Sequence, residues 1–225
     1  MRTLVLVRHG ETVGNSSIRY YGRTDLELSE LGRAQMRAAA RWLRRRLGAA
    51  GFFSVIASPL RRAVEGAAII AGDDRPIIKI EELVEVDFGR FEGLTAGEIE
   101  TRFPADFARW NRDRLDPEFA YPDGESRADF ARRVEHGIQR MLEVIDRAAR
   151  SGFDQLADEQ GGAVAGDRLA LVVAHRGVIR LITNRLAGVE PMIELGSIQI
   201  LQRERVGDPW RPDRIDVVEH LGAVR

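Results

Sequence analysis

Thr3 to Val7 is a run of leucine and β-branched residues that stops abruptly at Arg8-His9-Gly10. Its length and composition predict a fully buried strand of a parallel sheet, because a strand covered on both faces reads as a continuous apolar run. The same punctuation recurs twice. Phe53 to Ala57 is a second such run, ending in Ser58-Pro59-Leu60-Arg61-Arg62, and Leu169 to Ala174 is a third, ending in His175-Arg176-Gly177. Short buried strands separated by amphipathic helices predict an open α/β sheet with helices on both faces. In such sheets ligands bind in the crevice outside the carboxyl ends of the strands. If the three strands are neighbours, His9, His175, Arg8 and either Arg61 or Arg62 meet in one crevice.

The intervening chain fits this arrangement. Ser29 is placed to cap a helix reaching about Leu47, with Leu31, Gln35, Ala38, Trp42 and Leu47 on its buried face. Arg44-Arg45-Arg46 stand at its C-terminal end, where cations suit the helix dipole. Ser58 can cap a further helix with Pro59 in its first turn. Pro76 to Ile80 reads as a short strand and leads into Glu81–Gly93, a Gly-punctuated stretch rich in carboxylates. Thr95 with Glu98 forms the pattern of a capping box opening a helix to about Phe103. Pro104 to Pro122 is aromatic and charged, the composition of a cover, and Pro122-Asp123-Gly124 is a turn. Ser126 with Asp129 caps a long helix whose core stripe is Phe130, Val134, Ile138, Met141 and Ile145. Ser151 to Asp167, rich in Gly, Ala and Asp, is expected to be a mobile surface loop. A helix through Leu181 and Leu186 follows, then strands near Ser197–Leu201 and Arg214–Glu219. The expectation is a three-layer α/β/α fold with a mostly parallel central sheet, one domain over residues 1–225.

Charge and composition exclude several classes. With 34 basic and 35 acidic residues, no overall field favours nucleic acid or an anionic membrane. The absence of Cys removes disulfides, thiolate metal sites and cysteine nucleophiles together. No stretch approaches the ~18 apolar residues of a membrane span, and the opening run is too short for a signal peptide. A cytoplasmic protein without nucleic-acid or membrane partners is expected, and a homodimer stays open.

Phosphoryl transfer suits the convergent set. A phosphate monoester needs its oxygens held by bidentate donors, which Arg supplies better than Lys. It needs a nucleophile in line and charge stabilisation for the equatorial oxygens. A neutral imidazole can attack phosphorus if its other nitrogen keeps its proton against an acceptor. The leaving oxygen needs a proton, for which the carboxylates of Glu81–Asp87 are the source.

Arg8-His9-Gly10-Glu11-Thr12 followed by Asn15, Ser58-x-Leu60-x-Arg62-Ala63 and His175-x-Gly177 resemble the histidine phosphatase superfamily, also called the phosphoglycerate mutase-like family. Leu83-x-Glu85-x-x-Phe88-Gly89-x-x-Glu92-Gly93 and Gly124-Glu125-Ser126 resemble it as well, and the match runs along most of the chain in order. The resemblance implies that His9 becomes phosphorylated and that Arg8, Arg62 and His175 form the phosphate pocket. It selects Arg62 over Arg61, and Glu85 over its acidic neighbours as the proton donor. It puts Asn15 where phosphate is contacted and Tyr21-Gly22 where substrate is lined. The implied route is a double displacement on a small phosphorylated metabolite, with no metal and no cofactor.

Three positions depart from the family pattern. Gly14 replaces the usual Trp before Asn15, Gly66 replaces a Thr, and Arg176 stands where a Gly normally follows the second histidine. The backbone N–H of Arg176 can still face phosphate, while its side chain adds a cation. Mutases of the family carry a Lys and paired arginines in the cover. Here Leu94–Asp123 has no Lys, and Arg109, Arg112 and Arg114 are not adjacent. The resemblance therefore implies a phosphatase, with a phosphoglycerate mutase-type isomerase as the alternative. A non-catalytic phosphate-binding module would be expected to have lost His9 or Glu85.

Overall fold

Strands that are apolar on both faces require a layer of helices on each side, and the chain supplies both. A computed structural model describes residues 1–225 apart from 49–50, 73, 158–167, 223 and 225. In order the elements are β1 (Arg2–Arg8), α1 (Glu30–Leu47), β2 (Ser54–Ala57), α2 (Arg61–Ala71) and β3 (Ile78–Lys79). Then come α3 (Ala96–Arg102), α4 (Pro104–Asp113), α5 (Arg127–Ala157), β4 (Arg168–Ala174), α6 (Arg176–Ala187), β5 (Ile198–Arg203) and β6 (Arg211–Val217). The strands form one sheet in the order β3-β2-β4-β1-β5-β6. β1 to β4 run parallel, whereas β5 is antiparallel to both β1 and β6. The expected three-layer α/β/α architecture is present, on a mixed and mostly parallel sheet.

Alternation along the strands divides the core in two. Val5, Val7, Val55, Ala57, Leu171 and Val173 pack under α1 and α2 through Met36, Ala39, Ala63 and Ala67. Leu4, Leu6, Ile56, Val172 and Ala174 face the other way, onto Val134, Ile138 and Met141 of α5 and Val178, Ile179 and Ile182 of α6. Each such buried aliphatic side chain contributes about 1.5–3 kcal/mol, so both helical layers are held mainly by this alternation. A third, separate cluster of Phe91, Ile99, Trp110 and Phe119 gives the cover its own core. Tyr20 and Phe88 pack edge-to-face against it and each other. No helix among the described residues is long and apolar enough to cross a membrane.

Local signals in the sequence set several boundaries. The Ser29 hydroxyl accepts from Gly32 N–H at 3.1 Å and opens α1. Thr95 and Glu98 form the reciprocal capping box of α3, and Ser126 accepts from Asp129 N–H at 3.0 Å where α5 begins. Other expectations need correction. Leu31 is 44% exposed, whereas Gln35, Ala38 and Trp42 are buried as expected and are joined by Gly32, Met36 and Leu43. The reason is backbone packing, since a Cβ at Gly32 would lie 1.9 Å from Glu11 O and one at Gly10 would lie 2.5 Å from Gly32 O. This glycine contact locks the start of α1 onto the loop that leaves β1.

Ser58 does not cap α2, whose N-cap is Leu60 with no side-chain bond, and Pro59 precedes the helix. β3 is confined to two residues, and β6 starts at Arg211 and leaves Glu219 in a terminal 3₁₀ turn. α5 continues to Ala157, seven residues into the stretch expected to be a loop from Ser151. The rest of that stretch, residues 158–167, lies outside the described residues.

Candidate active site

Sheet register puts three strand ends in one row. Arg8 pairs with Ala174 across β1 and β4, and Ala57 pairs with Val173 across β2 and β4. His9 N–H still bonds Ala174 O, and Ser58 N–H bonds Val173 O, both at 3.1 Å. His9, Ser58 and His175 therefore step off the sheet side by side. The imidazoles of His9 and His175 meet edge-to-face with centroids 5.1 Å apart.

His9 Nδ1 lies 2.7 Å from Gly10 O, and Arg62 Nε lies 3.3 Å from His9 Nε2. A carbonyl only accepts and a guanidinium only donates, so Nδ1 carries the hydrogen and Nε2 the lone pair. Burial, reinforced by the charges of Arg62 and Arg8, holds this imidazole well below its ordinary value near 6.5. His175 is lowered for the same reasons, burial first. Its Nε2 is 2.8 Å from the Ser58 hydroxyl, and its buried Nδ1 has no hydrogen-bond partner. Both rings are neutral at neutral pH.

Arg62 is completely buried at the start of α2. Its Nη1 donates to Thr24 O and its Nη2 to Gly22 O, each at 2.7 Å. Glu92 holds the loop that offers those carbonyls, by accepting from the N–H groups of Gly22, Arg23 and Thr24 and from the Thr24 hydroxyl. Arg61, by contrast, is exposed and pairs with Glu27. Arg8 donates through Nη1 to Ile193 O while its Nε is buried without a partner. Burial brings Arg8 down to about 10; Glu85 opposes that shift and Arg176 adds to it.

Glu85 is buried, its carboxylate accepting from Val86 N–H at 3.1 Å and from Gly177 N–H at 2.9 Å. Burial of Glu11 works against its charge, yet hydrogen bonds from Ser17, Ser16 and Thr12 leave it below the usual carboxylate range. Glu11 thus serves as the knot that ties the Thr12–Ser17 turn.

Arg8, His9, Tyr21, Glu85 and Arg176 line a single cavity of about 570 Å³. Arg62 and His175 stand behind it, against His9. Two expected positions fall elsewhere. Asn15 is exposed, with φ 60°, and its carbonyl accepts from Ile18 and Arg19 N–H, so it shapes a turn. Gly22 is buried and acts on the site through its bond to Arg62. Gly14 makes room for a ring: a Cβ there would lie 2.7 Å from Tyr21.

Sequence reasoning missed some of the wall. Phe88, Ser16 and Leu221 also line the cavity; Leu221 comes from a segment distant in sequence, and no local pattern announces it. Ser58, expected as a helix cap, holds His175 instead. Its signal was position, a hydroxyl at the end of a buried strand followed by a proline. Among the described residues no group of three or more His, Cys, Asp or Glu could hold a metal ion. The arrangement offers a cationic floor, one neutral imidazole with its lone pair on Nε2, and a carboxyl group beside it.

The family model of the histidine phosphatase superfamily (branch 1) matches residues 4–205. A glucosyl-3-phosphoglycerate phosphatase of Mycolicibacterium vanbaalenii is 33% identical over 191 residues, covering 84% of this chain and 76% of that protein. The native structure of mycobacterial glucosyl-3-phosphoglycerate phosphatase is similar with a TM-score of 0.71 at 30% identity, covering 96% of this chain and 99% of that one. The bifunctional protein Rv2228c of Mycobacterium tuberculosis is 41% identical over 143 residues, or 62% of this chain, and the match spans only 37% of that relative's length.

Proposed function

The chain belongs to the histidine phosphatase superfamily, and from that premise we propose that it hydrolyses a small phosphomonoester through a phosphohistidine on His9. Glu85 is the proton donor and the route uses no metal. The observation that carries this reading is the pair of contacts on His9: the Gly10 carbonyl keeps the hydrogen on Nδ1, and the Nε2 lone pair faces Arg62 Nε–H, a donor that phosphate replaces at Nε2.

Nε2 attacks phosphorus in line, the N–P bond forms, and the P–O bond to the leaving group breaks. Charge gained by the imidazole is met at Nδ1–H by the Gly10 carbonyl. Arg8 and Arg62, whose Nε–H passes from His9 Nε2 to a phosphoryl oxygen as the N–P bond forms, stabilise the equatorial oxygens, with His175 behind them. Glu85 hands its proton to the leaving oxygen. The resulting carboxylate then takes a proton from water, whose oxygen displaces His9 from phosphorus and releases inorganic phosphate. Residues 1–225 act as one catalytic domain in this scheme.

Relatives named as phosphatases support hydrolysis over isomerisation. The test is a phosphate-release screen of the purified chain over many phosphomonoesters, with isomerisation of 3-phosphoglycerate assayed in parallel. Phosphate release without net isomerisation is expected. Isomerisation without release, or no release from any ester, would overturn the reading.

A further inference from the structure

The cavity is large enough to take a whole small-molecule ligand, far more than a phosphoryl group. Its cations are not used alike. Arg62 spends its donors on His9 and on loop carbonyls. Arg19 is committed to Glu98 and to Gly93 O. Arg176, one residue after His175 at the start of α6, is exposed and lines the same cavity. It forms no hydrogen bond or ion pair with any described residue.

The cavity carboxylates offer it nothing. Glu11 is taken up by Thr12, Ser16 and Ser17, Glu85 by two backbone N–H groups, and Glu194, the third carboxylate on the wall, forms no ion pair with Arg176. Arg176 also lies close enough to Arg8 that its charge opposes the protonation of Arg8. Two like charges on one wall, one with a buried unpartnered Nε, are an arrangement that an anionic ligand relieves.

Position indicates which anion. The leaving oxygen must reach Glu85, and Glu85 is held by the N–H of Gly177, the residue next to Arg176. Atoms beyond the leaving oxygen therefore pass beside Arg176. We propose that Arg176 is a specificity-determining residue that binds a second anionic group, a carboxylate or second phosphate, on the leaving-group part of the substrate. This rests on the phosphomonoesterase reading given above.

Matched esters test it. 3-Phosphoglycerate is compared with glycerol 3-phosphate, which replaces the carboxylate by a hydroxymethyl group, and fructose 1,6-bisphosphate with fructose 6-phosphate. The wild-type chain should favour at least one anion-bearing member by about tenfold or more in kcat/KM. R176Q should collapse that preference chiefly through KM, and R176K should restore part of it. Preference in the first pair identifies a carboxylate, and in the second a phosphate. Equal loss on all esters in R176Q, or no preference in the wild type, overturns the proposal while leaving the phosphatase reading intact. Failure of the wild type on every ester removes both.

Discussion

Arg62 Nε faces His9 Nε2 at 3.3 Å, and Gly10 O faces Nδ1 of the same ring at 2.7 Å. A donor-only group and an acceptor-only group together specify one tautomer. Since Arg62 is fully buried and tied to three carbonyls, its direction does not depend on solvent. Nitrogen NMR of imidazole-labelled protein should show His9 protonated at Nδ1 alone, and neutral to well below the ordinary 6.5. A cationic His9 ring at neutral pH would contradict this.

Stability should depend on pH in a defined direction. His9 and His175 are both lowered by burial first and then by neighbouring charges. Above about pH 6.5 both rings are neutral in the folded and unfolded chains, and neither contributes a slope. As pH falls through 6.5 the unfolded chain binds protons that the folded chain refuses, so stability is lost toward the depressed folded values. Each ring should cost about 1.4 kcal/mol per pH unit in that window. Denaturant midpoints from about pH 7.5 to about 5.5 should show a shallower acid slope in His9→Gln than in wild type. Identical slopes would sink the assignment of His9 as a buried neutral ring.

Glu85→Gln should be felt most by esters with poor leaving groups. General acid catalysis is worth about a hundred- to ten-thousand-fold where protonation is needed, so alkyl phosphates should lose that much. Nitrophenyl phosphate, whose leaving group departs unprotonated, should lose far less. Uniform loss across leaving groups would contradict the proton-donor role.

EDTA dialysis should leave the rate on any hydrolysed ester unchanged. The groups assigned to phosphate are cations and imidazoles rather than a carboxylate cluster. Activity lost on chelation and regained with a divalent ion would count against the metal-free route.

The parts of this protein governed by local chemistry were readable from the chain. Ser29, the Thr95–Glu98 pair and the Phe130–Ile145 stripe announce α1, α3 and α5, because caps and helical spacing are local properties. His9, Arg62 and His175 were placed together because three buried strands end alike, although choosing Arg62 over Arg61 and Glu85 over its neighbours needed the family resemblance. What escaped depends on contacts distant in sequence. Ser58 has the side chain of a helix cap, yet His175, 117 residues away, takes its hydroxyl. Leu31 fits the helical stripe, yet the Gly10–Gly32 contact turns it outward.

The central claim is that phosphate passes through a covalent bond to His9. Glu85→Gln enzyme mixed with labelled nitrophenyl phosphate, whose leaving group needs no proton, and quenched in alkali should carry phosphate that is stable to base and labile to acid. Peptide mapping should place it on the segment containing His9, and the label should be absent from a variant that also carries His9→Gln. Phosphate release by wild type with no labelled enzyme at any reaction time, or a label elsewhere than His9, would contradict the account.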